Sequence, residues 1–221
     1  MEHTRRRRRI WIAVAVSGGI AAGGLAAGGA FAGGASCLPG GDAPSRLTIA
    51  TPGRGERALV VGGQVFRRDG KTPAPGVVVY VYHTDSAGYY SREAGAPPRL
   101  RGWLRTDAEG RYEYRTIRPA PYPDRREAAH VHTQLWGDGV PPQWGTTLVF
   151  ADDPLVAADE RRRSAKLGRF GYVCAPKPGP DGALRCRHDL RASLLPSVFE
   201  PSTRHGLAHP RAAQADRRRG G

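Results

Sequence analysis

Residues 77–84 read Val77-Val78-Val79-Tyr80-Val81-Tyr82-His83-Thr84. β-Branched and aromatic side chains fill the run, and these are the types that fit a pleated strand. It is too short and too β-branched to favour a buried helix. A turn cluster, Arg-Asp-Gly-Lys-Thr-Pro-Ala-Pro-Gly at 68–76, precedes it. Before that, residues 58–66 read Ala-Leu-Val-Val-Gly-Gly-Gln-Val-Phe, a second β-rich run whose double glycine suggests a bulge. Downstream, residues 111–117 alternate after the turn signal Asp107-Ala108-Glu109-Gly110, and residues 130–136 and 146–150 supply further strands. Residues 159–167 alone carry a helical period. Turn signals recurring between short strands predict an all-β protein, an antiparallel β-sandwich. The 30 Gly and 19 Pro support many turns over long helices.

The sandwich is expected over residues 57–199. Residues 37–56 read as a linker, with Pro39, Gly40, Gly41, Pro44, Pro52 and Gly53. Residues 200–221 have little apolar content and read as a disordered basic tail.

The N-terminus reads as a targeting segment over residues 1–36. Arg5 to Arg9 form a positive start, and residues 10–41 carry no charge. A positive region, an apolar region and small residues at its end describe a secretory signal. Thr4-Arg5-Arg6 resembles a twin-arginine signal, which exports folded protein. A transmembrane anchor is the alternative, since the span is long enough, but its paired glycines lower its hydrophobicity. Cys37 follows Gly34-Ala35-Ser36, which resembles a lipobox with Gly34 in place of the usual aliphatic residue. Membrane attachment through the segment or a lipidated Cys37 is therefore open, and the expected location is extracytoplasmic. In an oxidising compartment Cys174 and Cys186, twelve positions apart, pair and leave Cys37 over.

The formal charge of +14 raises nucleic acid as a partner. Residues 1–36 hold five Arg and Glu2, so 29 basic and 19 acidic side chains remain, about +10. The tail adds a cluster of five Arg against Glu200 and Asp216, and no stretch interleaves basic with aromatic residues as a single-strand groove does. A basic surface with no nucleic-acid partner is the better reading. Such a surface attracts anionic polymers or membranes weakly. Oligomeric state is not legible.

The chemistry centres on His130-Val131-His132. In a strand, residues i and i+2 share a face, so two imidazoles project together, a common way to hold a transition metal. Eight residues upstream, Tyr122 stands between Pro121 and Pro123, which fix the backbone and place it on a corner. Asp85-Ser86-Ala87-Gly88-Tyr89-Tyr90 follows the strand at 77–84 and makes a turn with two tyrosines. Any one Tyr has a plain reading as core or rim packing.

Together these segments resemble the intradiol dioxygenases, the family of catechol and protocatechuate 3,4-dioxygenases. The motifs in order are Asp85-x-x-Gly88-x-Tyr90, Leu100-Arg101-Gly102, Thr106-Asp107-x-x-Gly110-x-Tyr112, Thr116-Ile117-x-Pro119-x-x-Tyr122-Pro123 and His130-x-His132. The motifs run from Asp85 to His132 within a resemblance covering roughly residues 57–156, and an ordered set is far more specific than one motif. The resemblance implies a non-haem Fe(III) held by Tyr90, Tyr122, His130 and His132, with Tyr122 and His130 axial. It implies a catechol-type substrate and O2 as partners and a cis,cis-muconate-type diacid as product. Tyr122 then serves as catalytic base toward the catechol.

Two positions depart from the family. Its usual Arg three residues before the first His is Glu127, and a one-residue shift brings in Arg126 as the catalytic cation. Its usual Gln before the strand at 148–150 is Thr147. These departures keep a second reading open, a non-catalytic exported β-sandwich binding module. A zinc or copper site using the two His is a third, and leaves Tyr122 between its prolines unexplained.

Overall fold

The run beginning at Val77 becomes a central strand. The computed structural model describes residues 42–193 apart from residues 94 and 138. The segment 1–36, Cys37 and the tail 200–221 lie outside the described residues. Their order along the chain is β1 (Arg46–Thr48), β2 (Ala58–Phe66), β3 (Val78–His83), β4 (Leu100–Arg105), β5 (Arg111–Ile117), β6 (His130–Gly137), β7 (Val140–Trp144) and β8 (Leu148–Phe150). A helix α1 (Ala158–Lys166) follows, then β9 (Val173–Cys174), β10 (Lys177–Pro178), β11 (Leu184–Arg187) and β12 (Leu190–Arg191).

Among the described residues the strands form two sheets. The first runs β1-β5-β2-β11-β10, with β12 also on β2. The second runs β4-β3-β6-β8-β9, with β7 on β6. The sandwich is all-β as expected, but its sheets are mixed rather than purely antiparallel. β1 runs parallel to β5, β11 and β12 parallel to β2, and β9 parallel to β8. Each parallel pair joins segments separated by a long connection, as parallel pairing requires.

Alternation along β3 explains its unbroken burial. Val77, Val79 and Val81 enter the core between the sheets, with Leu59, Val61, Leu104, Tyr114, Leu135 and Phe150. Val78, Tyr80 and Tyr82 face the other way and join Trp136, Tyr90 and Trp103 in a second, largely aromatic cluster. The strand is thus covered on both faces, which is why it reads as a continuous apolar run. Fully buried aliphatic and aromatic side chains of this kind contribute about 1.5–3 kcal/mol each.

The stretch read as linker contains β1. Arg46, Leu47 and Thr48 pair with Glu113, Tyr114 and Arg115, and Leu47 and Ile49 pack on the core. A Cβ on Gly102 would lie 2.6 Å from the Leu47 side chain, so the bare glycine of β4 leaves room for it. Three residues carry no periodic signal; their strand forms because β5 offers an edge.

The double glycine makes no bulge against β5. The register runs unbroken from Ala58↔Ile117 to Gln64↔Arg111. A Cβ on Gly63 would sit 1.9 Å from the His188 carbonyl oxygen. That glycine is a slot for the returning chain. His188 N–H donates to the Gly62 carbonyl, Gln64 N–H to Asp189 Oδ1, and Tyr112 Oη to the His188 carbonyl. Cys174 on the second sheet and Cys186 on the first form the expected disulfide, with Cα atoms 5.9 Å apart, and so staple the two sheets.

Candidate metal centre

Three local devices bring four side chains to one point. The first is the turn at 85–90. Asp85 Oδ1 accepts the Ala87 and Tyr89 N–H groups, and Gly88 N–H donates to the Asp85 carbonyl. Arg99 holds the other carboxylate oxygen at 2.6 Å. Asp107 builds the same turn with the N–H groups of Glu109, Gly110 and Arg111. The repeated Asp-x-x-Gly spacing is therefore one physical motif used twice, an Asx-type turn closed by a left-handed glycine. At the first turn it aims Tyr90.

The second device docks that turn on the corner carrying Tyr122. Gly88 has φ 87°, and a Cβ there would lie 2.2 Å from the Pro121 carbonyl oxygen. Thr84 Oγ1 donates to the Ala120 carbonyl, and Ala120 N–H donates to the Asp85 carbonyl. Neither Pro121 nor Pro123 has an N–H to offer, so the corner joins no ladder.

The third is β6 itself. Its even positions face away from the core, and His130 and His132 occupy two of them. Ala129 N–H is anchored by buried Asp153 at 2.8 Å. His130 Nδ1 lies 2.7 Å from the Ala128 carbonyl. A carbonyl only accepts, so Nδ1 carries the proton and a neutral His130 presents a bare Nε2.

Five of the six separations among the donor atoms fall between 2.7 and 3.2 Å. Tyr90 Oη is 2.7 Å from Tyr122 Oη, 3.2 Å from His130 Nε2 and 2.9 Å from His132 Nε2. His130 Nε2 is 3.2 Å from Tyr122 Oη and 3.0 Å from His132 Nε2. Nitrogen and oxygen ligands about 2 Å from one first-row ion stand roughly 3 Å apart, so the donors fit such an ion. Among the described residues no three His, Cys, Asp or Glu gather as a metal site. The phenols complete the set, and phenolate with imidazole suits a hard ferric ion.

Electrostatics point the same way. Burial pushes the Tyr90 hydroxyl far above its ordinary range, and the adjoining Tyr122 adds to the effect. Burial also raises Tyr122, with Glu127 and Asp124 adding to it and the bond to Tyr90 opposing it. Two phenols so placed ionise together only if a cation compensates them.

The structure brings together Tyr90, Tyr122, His130 and His132. It does not bring Arg126 to them: that side chain is 80% exposed and pairs with Asp124 at 3.6 Å. Arg125 takes a left-handed φ of 53° just before it, so the one-residue shift that would bring Arg126 inward is absent. Glu127 acts on both tyrosines from the exposed loop. Thr147 immediately precedes β8, whose Leu148 pairs with Val131.

Two site neighbours escaped the sequence reading. Tyr82 stacks on His132 with centroids 4.7 Å apart, and Trp144 meets the same imidazole edge-on at 6.1 Å. Alternation along β3 could have placed Tyr82 beside the metal face. Trp144, in the Pro-Pro-Gln-Trp segment, gave no signal.

Comparison with known proteins fits this geometry. Residues 45–191 match a family model described as Dioxygenase. The chain is 37% identical over 135 residues to the protocatechuate 3,4-dioxygenase beta chain of Burkholderia cepacia, covering 52% of this chain and 57% of that one. It is 30% identical over 170 residues to catechol 1,2-dioxygenase 2 of Acinetobacter lwoffii, covering 63% and 60%. The chain thus spans about three-fifths of these curated relatives. In fold it is similar to catechol 1,2-dioxygenase from Pseudomonas arvilla C-1, with a TM-score of 0.53, 20% identity and coverage of 75% and 63%. It is also similar to the dioxygenase domain of a dioxygenase carbohydrate-binding protein fusion from Streptomyces sp. SirexAA-E, with a TM-score of 0.52, 24% identity and coverage of 70% and 91%. On the family match, and with the motifs in order along it, this chain belongs to the intradiol dioxygenase family.

Proposed function

We propose that the chain is a non-haem Fe(III) dioxygenase that opens a catechol-type ring between its two hydroxylated carbons with O2, giving a cis,cis-muconate-type diacid. The observation that carries the reading is the convergence of Tyr90, Tyr122, His130 and His132, with five of their six donor-atom separations at 2.7–3.2 Å. The named activities of the relatives, on catechol and protocatechuate, support the substrate class. Bound to these donors, Fe(III) would supply the Lewis acidity and one-electron chemistry that make a catechol reactive toward O2.

The chain's own residues divide the remaining tasks. His130, fixed by the Ala128 carbonyl, and His132, stacked on Tyr82, hold their nitrogens in place. Tyr90 is fixed by the turn at Asp85. Both phenols lie outside the sheets, but Tyr90 packs on the aromatic cluster with Tyr82 and meets three of the donor atoms where Tyr122 meets two, so Tyr122 is the phenol that can swing out. Its oxygen then takes a proton from one catechol hydroxyl. Tyr82, stacked on His132, and Trp144, edge-on to it, crowd the equatorial side of that imidazole and leave less room there for a substrate ring. Residues 1–36 and the Cys174–Cys186 bridge support an extracytoplasmic location, reached by a twin-arginine-type signal.

The test is to load purified protein with iron and record its visible spectrum, then follow O2 uptake against a panel of catechols. A tyrosinate charge-transfer band and one O2 consumed per diacid formed are expected. An iron-loaded protein with no visible band, or with a band and no uptake on any catechol, ends the proposal.

A further inference from the structure

The outer face of the first sheet, remote from the aromatic face of the second, is built for charge. Alternation in β11 buries Leu184 and Cys186 and turns Arg185 and Arg187 outward. In β5 it turns Arg111 and Glu113 outward, beside Arg46 of β1. Gly62 of β2 lies between Glu113 and Arg187 on this face and offers no side chain to fill the gap. The result is a groove of about 660 Å³ whose wall holds Lys177 and the Cys174–Cys186 bridge. A second groove of about 550 Å³ shares Ala175 and Arg187 with it and is lined by Arg161 of α1 and by Arg169 just beyond that helix. The two adjoin at these shared residues, an arginine-lined channel in two parts.

The charge in this channel is not internally balanced. Arg187 and Arg169 share the buried carboxylate of Asp189, Arg185 pairs with Asp181 and Arg111 with Glu109. Asp107 spends one carboxylate oxygen on backbone N–H groups. Arg46 and Lys177, in contrast, make no ion pair among the described residues, and neither does Glu113. A lone Glu113 faces several cations.

We infer that this channel binds a linear acidic polysaccharide, a chain of uronate-type sugars whose carboxylates meet the arginine rows. The guanidinium is the side chain best shaped to take a carboxylate with two parallel hydrogen bonds, and arginine outnumbers lysine along the channel. Outward residues on one strand repeat about every 7 Å, a spacing an extended polyanion can follow. Nucleic acid fits less well: Tyr112, the aromatic lining the groove, is 3% exposed, so no ring is offered for a base to stack on. A planar bilayer fits less well too, because the cations line a concave channel rather than a flat face. None of the four donors lines either groove, so the site stands independently of the iron chemistry.

The test uses the full chain and polygalacturonate as probe, with affinity measured by calorimetry. Binding is expected at about 50 mM salt and should weaken at least about tenfold by about 200 mM, as screening shortens the reach of the charges. Arg46→Glu with Lys177→Glu should weaken it about tenfold or more while melting temperature and iron content hold. Glu113→Gln should tighten it severalfold, and that opposite sign decides the matter should the double variant fail to fold. Absence of binding at the lower salt would overturn the inference. So would affinity unchanged in both variants, which would assign binding to the basic tail, or tighter binding of polyuridylate or phosphatidylserine vesicles at equal charge.

Discussion

Gly88 lies so close to Pro121 that a Cβ would sit 2.2 Å from the proline's carbonyl oxygen, and its φ of 87° favours glycine. This contact sets the Tyr90 turn against the Tyr122 corner. Gly88→Ala is expected to cost at least about 2 kcal/mol, combining left-handed strain with a backbone clash. It should also weaken iron binding, because the phenols part. Denaturant unfolding and iron stoichiometry together check both halves; a variant with wild-type iron content would show that the contact does not position the tyrosines.

Substitutions at the four donors should separate by role. Tyr90→Phe and His132→Ala are expected to weaken iron binding by more than the roughly 10–100-fold that loss of an outer partner costs, and to bleach the visible band. Tyr122→Phe should retain more iron yet bind catechol slowly, having lost its proton acceptor. Stopped-flow spectra of iron-loaded variants distinguish the two patterns, and identical behaviour at Tyr90 and Tyr122 would contradict the assignment.

The loop after Tyr122 should matter through Glu127 more than through Arg126. Arg126 is 80% exposed and paired to Asp124, so Arg126→Ala is expected to change turnover less than about threefold. Glu127 opposes ionisation of both phenols. Glu127→Arg should therefore let the charge-transfer band develop at lower pH during iron loading. A hundredfold loss in Arg126→Ala would instead reveal a loop that turns inward when substrate arrives.

Acid should destabilise the fold through two buried histidines. Burial pushes His188 down to about 4, and His83 likewise to about 4 against an opposing bond to the Thr84 carbonyl. Unfolded histidine takes a proton near pH 6.5. The folded state resists that proton, so stability is whole above about pH 6.5 and falls as pH drops toward 4. Each group contributes about 3 kcal/mol to that loss. His188→Gln can keep the bond to Thr146 and should flatten the profile by roughly its share. Denaturant unfolding across that range measures it, and an unchanged slope would clear His188 of responsibility.

Opening the Cys174–Cys186 bridge is expected to cost about 2–4 kcal/mol, the usual range for a short closed loop. Thermal melts with and without reductant, beside the Cys174→Ser variant, should agree. Free thiols at both positions in exported protein would contradict the pairing.

Much of the site was legible because its signals are local. The Asp-x-x-Gly turns, the prolines around Tyr122 and the His-x-His alternation each act within a few residues. The cysteine pair was legible from count and spacing. What escaped depends on distant chain. β1 is a strand only because β5 has a free edge. Gly63 reads as a bulge until the His188 carbonyl arrives above it. Trp144 reaches His132 through the β6–β7 pairing, which no short window contains. Arg126 illustrates the converse, a residue type suited to a role whose backbone turns it to solvent.

The four donors divide by what carries them. His130 and His132 belong to a strand paired on one side with β3 and on the other with β8. Tyr90 and Tyr122 ride on two surface loops joined through Gly88, Thr84 and Ala120. Half of the chelate is framework and half is hinge. Parting the loops removes two donors while the sandwich stands, because local openings cost less than global unfolding. On the proposed reading, an ion held here would have a lifetime set by the opening of the two loops rather than by unfolding of the sandwich.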